Sequence, residues 1–147
     1  MVIYTGGRDQ GKTELVRKHY TTFYREYRRG DYFRMVSELR NLLDKNGGAD
    51  DGYILIDDFH LMVREMMDGV CELGDYRDMA EEMMGVLLDE NLRERLIIIS
   101  NELGSGVIPV DRFLDTWREI CGRCMIRLAA AADEVYLVNL GIATRIK

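Results

Sequence analysis

The chain has no apolar run long enough to cross a bilayer, so no membrane span is expected. No secretory leader is expected either. Met1 runs straight into VIYT and two glycines, with no basic opening and no long apolar segment, and a cytoplasmic protein is expected. Cysteine is scarce and odd in number: Cys71, Cys121 and Cys124. Without a leader, that count implies free thiols rather than a disulfide framework. Cys121-Gly122-Arg123-Cys124 is a CxxC, yet zinc needs about four ligands, and only Cys71, His19 and His60 remain as partners. A thioredoxin-type pair would open a helix after a strand. This one falls inside a long helical pattern, so its expected role is packing. No Gly/Ser/Pro-rich linker, low-complexity segment or internal repeat interrupts the chain, and residues 1–147 are read as one domain.

What is present is a globular balance: 47% apolar and 31% charged residues, enough for one hydrophobic core. The net charge of −6 is unevenly placed. Residues 1–40 hold nine Lys/Arg against five Asp/Glu, whereas residues 41–147 hold eleven against twenty-one. The basic arm carries Arg17, Lys18, Arg25, Arg28, Arg29 and Arg34 among tyrosines and phenylalanines. Such interleaving can bind nucleic acid. In an acidic chain the expected reading is instead an amphipathic helix, with its aromatics on the core and its arginines toward water or a nucleotide. Nucleic acid is not an expected partner.

Apolar runs at 2–5, 53–57, 95–100 and 134–139 read as strands, with 143–147 as a terminal partner. Helical patterns cover 12–29, 32–44, 59–69, 75–91 and 111–132, the last with Asp111 as a cap. The methionines at 62, 66, 67, 79, 83 and 84 recur at helical spacing and read as core. Segments 46–52 and 101–109 read as loops. Strands alternating with helices imply an α/β fold of P-loop type, three layers about a mostly parallel sheet.

Between the first strand and first helix stands Gly6-Gly7-Arg8-Asp9-Gln10-Gly11-Lys12-Thr13, which fits GxxxxGK[ST]. Consecutive backbone N–H groups in such a loop turn inward and form an anion cradle at a helix N-terminus. All eight residues are candidates for holding a nucleoside triphosphate, GTP or ATP. Lys12 would reach the β/γ-phosphates, and Thr13 would ligate Mg²⁺. YILIDD delivers Asp57 to the same end of the sheet as a second Mg²⁺ ligand. Glu102 follows the next strand and could orient water or a substrate hydroxyl there. Lys12, Asp57 and Glu102 are the candidate catalytic residues.

The C-terminal half carries more than a generic P-loop requires. Asn101-Glu102-Leu103-Gly104-Ser105-Gly106-Val107-Ile108-Pro109 is followed by an Arg118–Arg123 helix segment, Ala130–Val135 and Gly141–Lys147. With Thr5-Gly6-Gly7 and the YILIDD strand, this resembles the bifunctional adenosylcobinamide kinase/adenosylcobinamide-phosphate guanylyltransferase family of cobalamin biosynthesis. The resemblance covers most of the chain outside residues 17–52. It implies a P-loop kinase fold, phosphorylation of the aminopropanol hydroxyl of a corrinoid, GMP transfer through a guanylylated histidine, and a homo-oligomer.

Two departures accompany it. The family carries an extra strand and a histidine-bearing helical segment between its first helix and the Asp57-type strand; that segment reads as missing here, and residues 17–52 are shorter and of different character. His19 is too early, and His60 too late, to match the acceptor histidine. Met125-Ile126 replaces an Asn-Gln pair. Guanylyl transfer is therefore expected to be lost, since the two-step route needs its covalent acceptor. The kinase parts remain, and a kinase acting on adenosylcobinamide or a similar alcohol is expected. The alternative is a non-catalytic nucleotide-binding module with a regulatory or scaffolding role.

Overall fold

A computed structural model of the chain describes residues 1–44, 52–69, 75–106 and 109–147. The CxxC partner Cys71, most of the 46–52 loop and residues 107–108 lie outside them. The strands are β1 (Val2–Gly6), β2 (Arg25–Tyr27), β3 (Ile54–Ile56), β4 (Leu96–Asn101), β5 (Glu134–Asn139) and β6 (Ile142–Arg145). The helices are α1 (Lys12–His19), α2 (Tyr32–Asp44), α3 (Phe59–Asp68), α4 (Asp75–Leu87), α5 (Glu90–Arg93) and α6 (Arg112–Ala131). They build one six-stranded sheet in the order β2-β3-β4-β1-β5-β6. Every pairing is parallel except β5 with β6.

Both faces of the sheet are covered, as a parallel sheet requires. Strand alternation sorts the side chains between two cores. Ile3, Ile54, Ile56, Leu96 and Ile98 face the larger one, with residues of α2, α3, α4 and α6. Tyr4, Leu55, Ile97, Ile99 and Val138 face the smaller one, under Val16 of α1. The α4 and α3 methionines Met62, Met66, Met83 and Met84 are fully buried in the larger core. Asp111 caps α6 by accepting from the Leu114 N–H at 2.9 Å. Cys121 and Cys124 are buried on α6, and burial pushes their thiols up to about 12 and about 11. Such thiols stay protonated and pack as small apolar groups. No helix among the described residues is long and apolar enough to cross a membrane.

One expectation is corrected. The helix from Lys12 does not continue to Arg29; it ends at His19, and Arg25–Tyr27 is a strand. The last helical bond runs from Tyr20 N–H to Val16 O, and Tyr20 is already extended. Two threonines follow, and their branched side chains disfavour helix. Tyr24 N–H then donates to Tyr53 O, and β2 docks in register on β3, burying Tyr27 completely. The strand expected to be missing from this region is thus present. The basic arm is a helix end, an edge strand and the start of α2. Its tyrosines Tyr27 and Tyr32 enter the core, while Phe33 is exposed.

Candidate active site

Strand β1 lies between β4 and β5, and the crossover from it leads to the far edge of the sheet. At such a reversal the loops beyond the strand ends part and leave a crevice. The crevice here is a cleft of about 780 Å³ whose walls include Lys12, Thr13, Asp57, His60, Asn101 and Trp117.

The loop leaving β1 is held in shape from three sides. Gly6 has φ +148, and a Cβ there would sit 2.3 Å from the Val138 carbonyl oxygen. Gly11, with φ +79, forms the N-cap of α1, and no side chain caps that end. Asp9 also has a positive φ. Gln10 borders the cleft and also reaches beyond it: its Oε1 accepts from Leu140 N–H at 2.7 Å and its carbonyl from Gly141 N–H at 3.0 Å. The β5–β6 hairpin therefore buttresses the loop. Arg8 and Asp9 are exposed and pair with each other at 3.3 Å.

Lys12 is buried and folded back over the loop. Its Nζ donates to Gly7 O at 2.6 Å and to Asn101 Oδ1 at 2.7 Å. Burial lowers its pKa, against the pull of Asp57 and Asp58. Thr13 Oγ1 donates to Asp57 Oδ2 at 3.0 Å. Burial, and then the charge of Asp58, raise the Asp57 pKa, while the Thr13 hydroxyl opposes them. A hydroxyl and a carboxylate side by side suit a hard cation that takes its remaining ligands from phosphate and water. Asp58 turns α3 away from β3 with φ 56.

Glu102 leaves β4 at the cleft rim, but its carboxylate closes its own loop. It accepts from the N–H of Gly104 and from Ser105 N–H at 3.1 Å. Hydrogen bonds from Ser105 and Gly104 hold its carboxyl below the usual range, against partial burial.

Three site residues were not singled out from the sequence for this position. Asn101, at the end of β4, stands between Lys12 and His60, with its Nδ2 2.9 Å from His60 Nε2. Its own N–H donates to His60 Nδ1 at 3.2 Å. Trp117 of α6 donates from Nε1 to His60 O at 2.7 Å and stacks near the imidazole. The only sequence signal was that Asn101 opens the Asn-Glu-Leu-Gly segment. His19, by contrast, is exposed on α1, with its Nδ1 2.9 Å from Leu15 O.

Burial pushes the His60 imidazole down to about 4, against the pull of Asp58. Below its ordinary value of 6.5 the unfolded chain takes up a proton that the folded chain refuses. Stability is thus lost as pH falls from about 6.5 through about 4. Replacing His60 with Gln is expected to remove about 3 kcal/mol of this acid loss between pH 7 and pH 4. Urea titrations of both proteins at the two pH values measure it, and parallel profiles would contradict a buried neutral imidazole.

The comparisons with known proteins give the family. A sequence model of the family described as CobU, cobinamide kinase / cobinamide phosphate guanyltransferase, matches residues 4–146. The bifunctional adenosylcobalamin biosynthesis protein CobU of Salmonella typhimurium is 47% identical over 53 residues, and that of Escherichia coli K12 is 43% identical over 53. Each match covers 36% of this chain and 29% of the relative. Among solved structures, one from Pyrococcus horikoshii OT3, titled a structural study of Project ID PH0250, superposes with TM-score 0.54 at 7% identity. It covers 100% of this chain and 85% of that one, and shows likeness of fold alone. With residues 4–146 of this chain matched by the family's model, on a mostly parallel sheet, the chain belongs to the cobinamide kinase / cobinamide phosphate guanyltransferase family.

Proposed function

We propose that the protein is a cytoplasmic kinase that uses GTP or ATP to phosphorylate the aminopropanol hydroxyl of adenosylcobinamide or a similar alcohol, without guanylyl transfer. The observation that carries this reading is the Lys12, Thr13 and Asp57 arrangement on the β1 and β3 ends. Phosphoryl transfer needs positioning and charge stabilisation more than covalent participation by the protein. The loop N–H groups from Gly6 to Thr13 would hold the phosphates. Lys12 would exchange its carbonyl partners for β/γ oxygens, with Asn101 Oδ1 steering its ammonium. Thr13 Oγ1 and Asp57 would hold Mg²⁺, which supplies charge neutralisation at the phosphates when bound. Glu102 would act through the loop it closes, shaping the rim where the acceptor enters.

The absence of guanylyl transfer is supported by the state of the histidines. Both ring nitrogens of His60 face Asn101, and His19 lies on the exposed side of α1. A homo-oligomer is part of the same proposal. Ile126, Leu140, Ile142 and Ile146 leave apolar side chains exposed, which would suit contacts between like chains.

The test is a product assay with Mg²⁺, adenosylcobinamide and GTP or ATP, reading corrinoid products and protein mass together. Phosphorylated cobinamide without a GMP adduct on the protein is expected. A GMP adduct would overturn the loss of guanylyl transfer. Nucleotide binding with neither product would favour the non-catalytic module.

A further inference from the structure

Lys12, His60 and Ser100 are the buried polar or charged side chains among the described residues. Lys12 would serve the phosphates, and Ser100 Oγ donates to the Asn101 carbonyl at 3.2 Å. His60, in the first turn of α3, has no part in the chemistry above. Its surroundings hold it in place. Trp117 Nε1 donates to its carbonyl at 2.7 Å, and the indole lies stacked beside the imidazole. Both ring nitrogens face Asn101. The Asn101 backbone N–H points at Nδ1 from 3.2 Å, and Asn101 Nδ2 stands 2.9 Å from Nε2. On the other side of the same amide, Oδ1 accepts from Lys12 Nζ at 2.7 Å.

Donors and acceptors do not balance in this group. A neutral imidazole has one nitrogen that accepts and one that donates. Burial keeps the ring neutral, and a charged ring would bring two N–H groups against two donors. Asn101 still aims two donors at the ring, because its single amide oxygen is taken by Lys12. One ring N–H must therefore oppose an Asn101 N–H. Turning the amide over only moves the conflict. Oδ1 would then accept from Nε2–H, but Nδ2 would face the Lys12 ammonium. The Asn101 backbone cannot yield. It ends β4 in register with Gly6 of β1, and the following N–H, that of Glu102, donates to Gly6 O at 3.0 Å. The side-chain amide is the part free to turn. Without nucleotide the charged ammonium takes the oxygen, since charge-assisted hydrogen bonds are the stronger ones. The opposed pair then falls on the longer contact, where it costs less, and the ring proton sits on Nδ1.

We propose that His60 is a positioning residue acting through Asn101: as triphosphate oxygens draw the Lys12 ammonium away, the Asn101 amide turns its oxygen to His60 Nε2–H and its Nδ2 toward the cleft. The Asn101 N–H then has an accepting Nδ1, and Nδ2 meets phosphate oxygens where it would have met the ammonium. Every donor in the group gains an acceptor. Asn101 thus steers Lys12 up to the phosphates and then releases it, and His60 makes the release favourable. The inference rests on the nucleotide part of the reading above and is independent of which alcohol is phosphorylated.

Nitrogen NMR of protein with isotope-labelled histidines, at neutral pH, reads the position of the ring proton. The chain has two histidines, and exposed His19 serves as the control. Without nucleotide the His60 proton is expected on Nδ1. With Mg²⁺ and the β,γ-imido analogue of GTP or ATP bound, it is expected on Nε2. Lys12→Ala removes the competing ammonium and should carry the proton on Nε2 with no nucleotide present. The same tautomer in the native protein with and without bound analogue would overturn the proposal. So would a proton on Nδ1 in Lys12→Ala. Failure of the native protein to bind the analogue would count against the nucleotide reading instead, and the Lys12→Ala comparison would still decide the role of His60. Affinity gives a second readout. His60→Phe should weaken analogue binding about fivefold, the worth of one hydrogen bond. In an Asn101→Ala background the same change should alter affinity less than about twofold. Equal losses in both backgrounds would reduce His60 to a packing residue and overturn its action through Asn101.

Discussion

Lys12→Ala is expected to weaken triphosphate binding about a hundredfold, for Mg·GTP and Mg·ATP alike, while barely changing the stability of the fold. The two halves of this expectation have separate causes. Lys12 is buried, and burial lowers its pKa, so the fold is penalised for holding the charge. Removing the ammonium relieves that penalty. It also leaves Gly7 O and Asn101 Oδ1 without a donor, but Gly7 is exposed and Asn101 borders the open cleft, so water can reach both. The two effects oppose each other, and the net change should stay within about 1 kcal/mol. For the nucleotide nothing offsets the loss, since the β/γ oxygens lose a charged donor. Calorimetric titration together with a thermal melt separates the two. Trp117, the sole tryptophan, lies in the wall of the same cleft and gives an independent fluorescence signal. Unchanged triphosphate affinity in the variant would remove the phosphate-cradle reading altogether.

The parts of this molecule that were legible in the sequence are those written locally. β1, β3, β4 and β5 are unbroken apolar runs, because a parallel sheet covered on both faces has no polar side to alternate with. The Gly6–Thr13 spacing needs no tertiary knowledge, and Asp57 follows from a strand that ends in acid. β2 was illegible because it is three residues long and reads as a continuation of the helical arginine and tyrosine pattern before it. Only pairing with β3 makes it a strand. The Asn101–His60–Lys12 group joins three segments that nothing local connects. Gln10 reads as a cradle residue, and nothing local shows that its side chain also reaches a hairpin 130 positions away. The same misread stretch hid a turn, for once β2 ends at Tyr27 the chain turns through Arg28 and Arg29, with Asp31 N–H donating to Arg28 O at 3.0 Å.

Gly6→Ala should be the most destabilising single methyl group that can be added to the cradle, costing about 3 kcal/mol or more. The new Cβ would lie 2.3 Å from Val138 O and 3.2 Å from its carbonyl carbon. These are backbone atoms of β5, which is held by β1 on one side and β6 on the other. No side-chain rotation can make room, so either β1 and β5 separate or the loop moves. The φ of +148 adds backbone strain for any residue with a Cβ. Gly7→Ala is the matched control. Its Cβ meets only Gln10 Cγ at 3.5 Å, an ordinary contact, and the change should cost less than about 1 kcal/mol. Urea midpoints of the two variants, taken with the native protein, decide the matter. Equal midpoints would mean that the end of β1 yields where its pairing says it cannot. A loss of 3 kcal/mol is a large share of the roughly 5–15 kcal/mol that holds a domain folded. The glycine that opens the phosphate cradle therefore also serves the sheet, so the strand pairing must hold before the loop can bind anything.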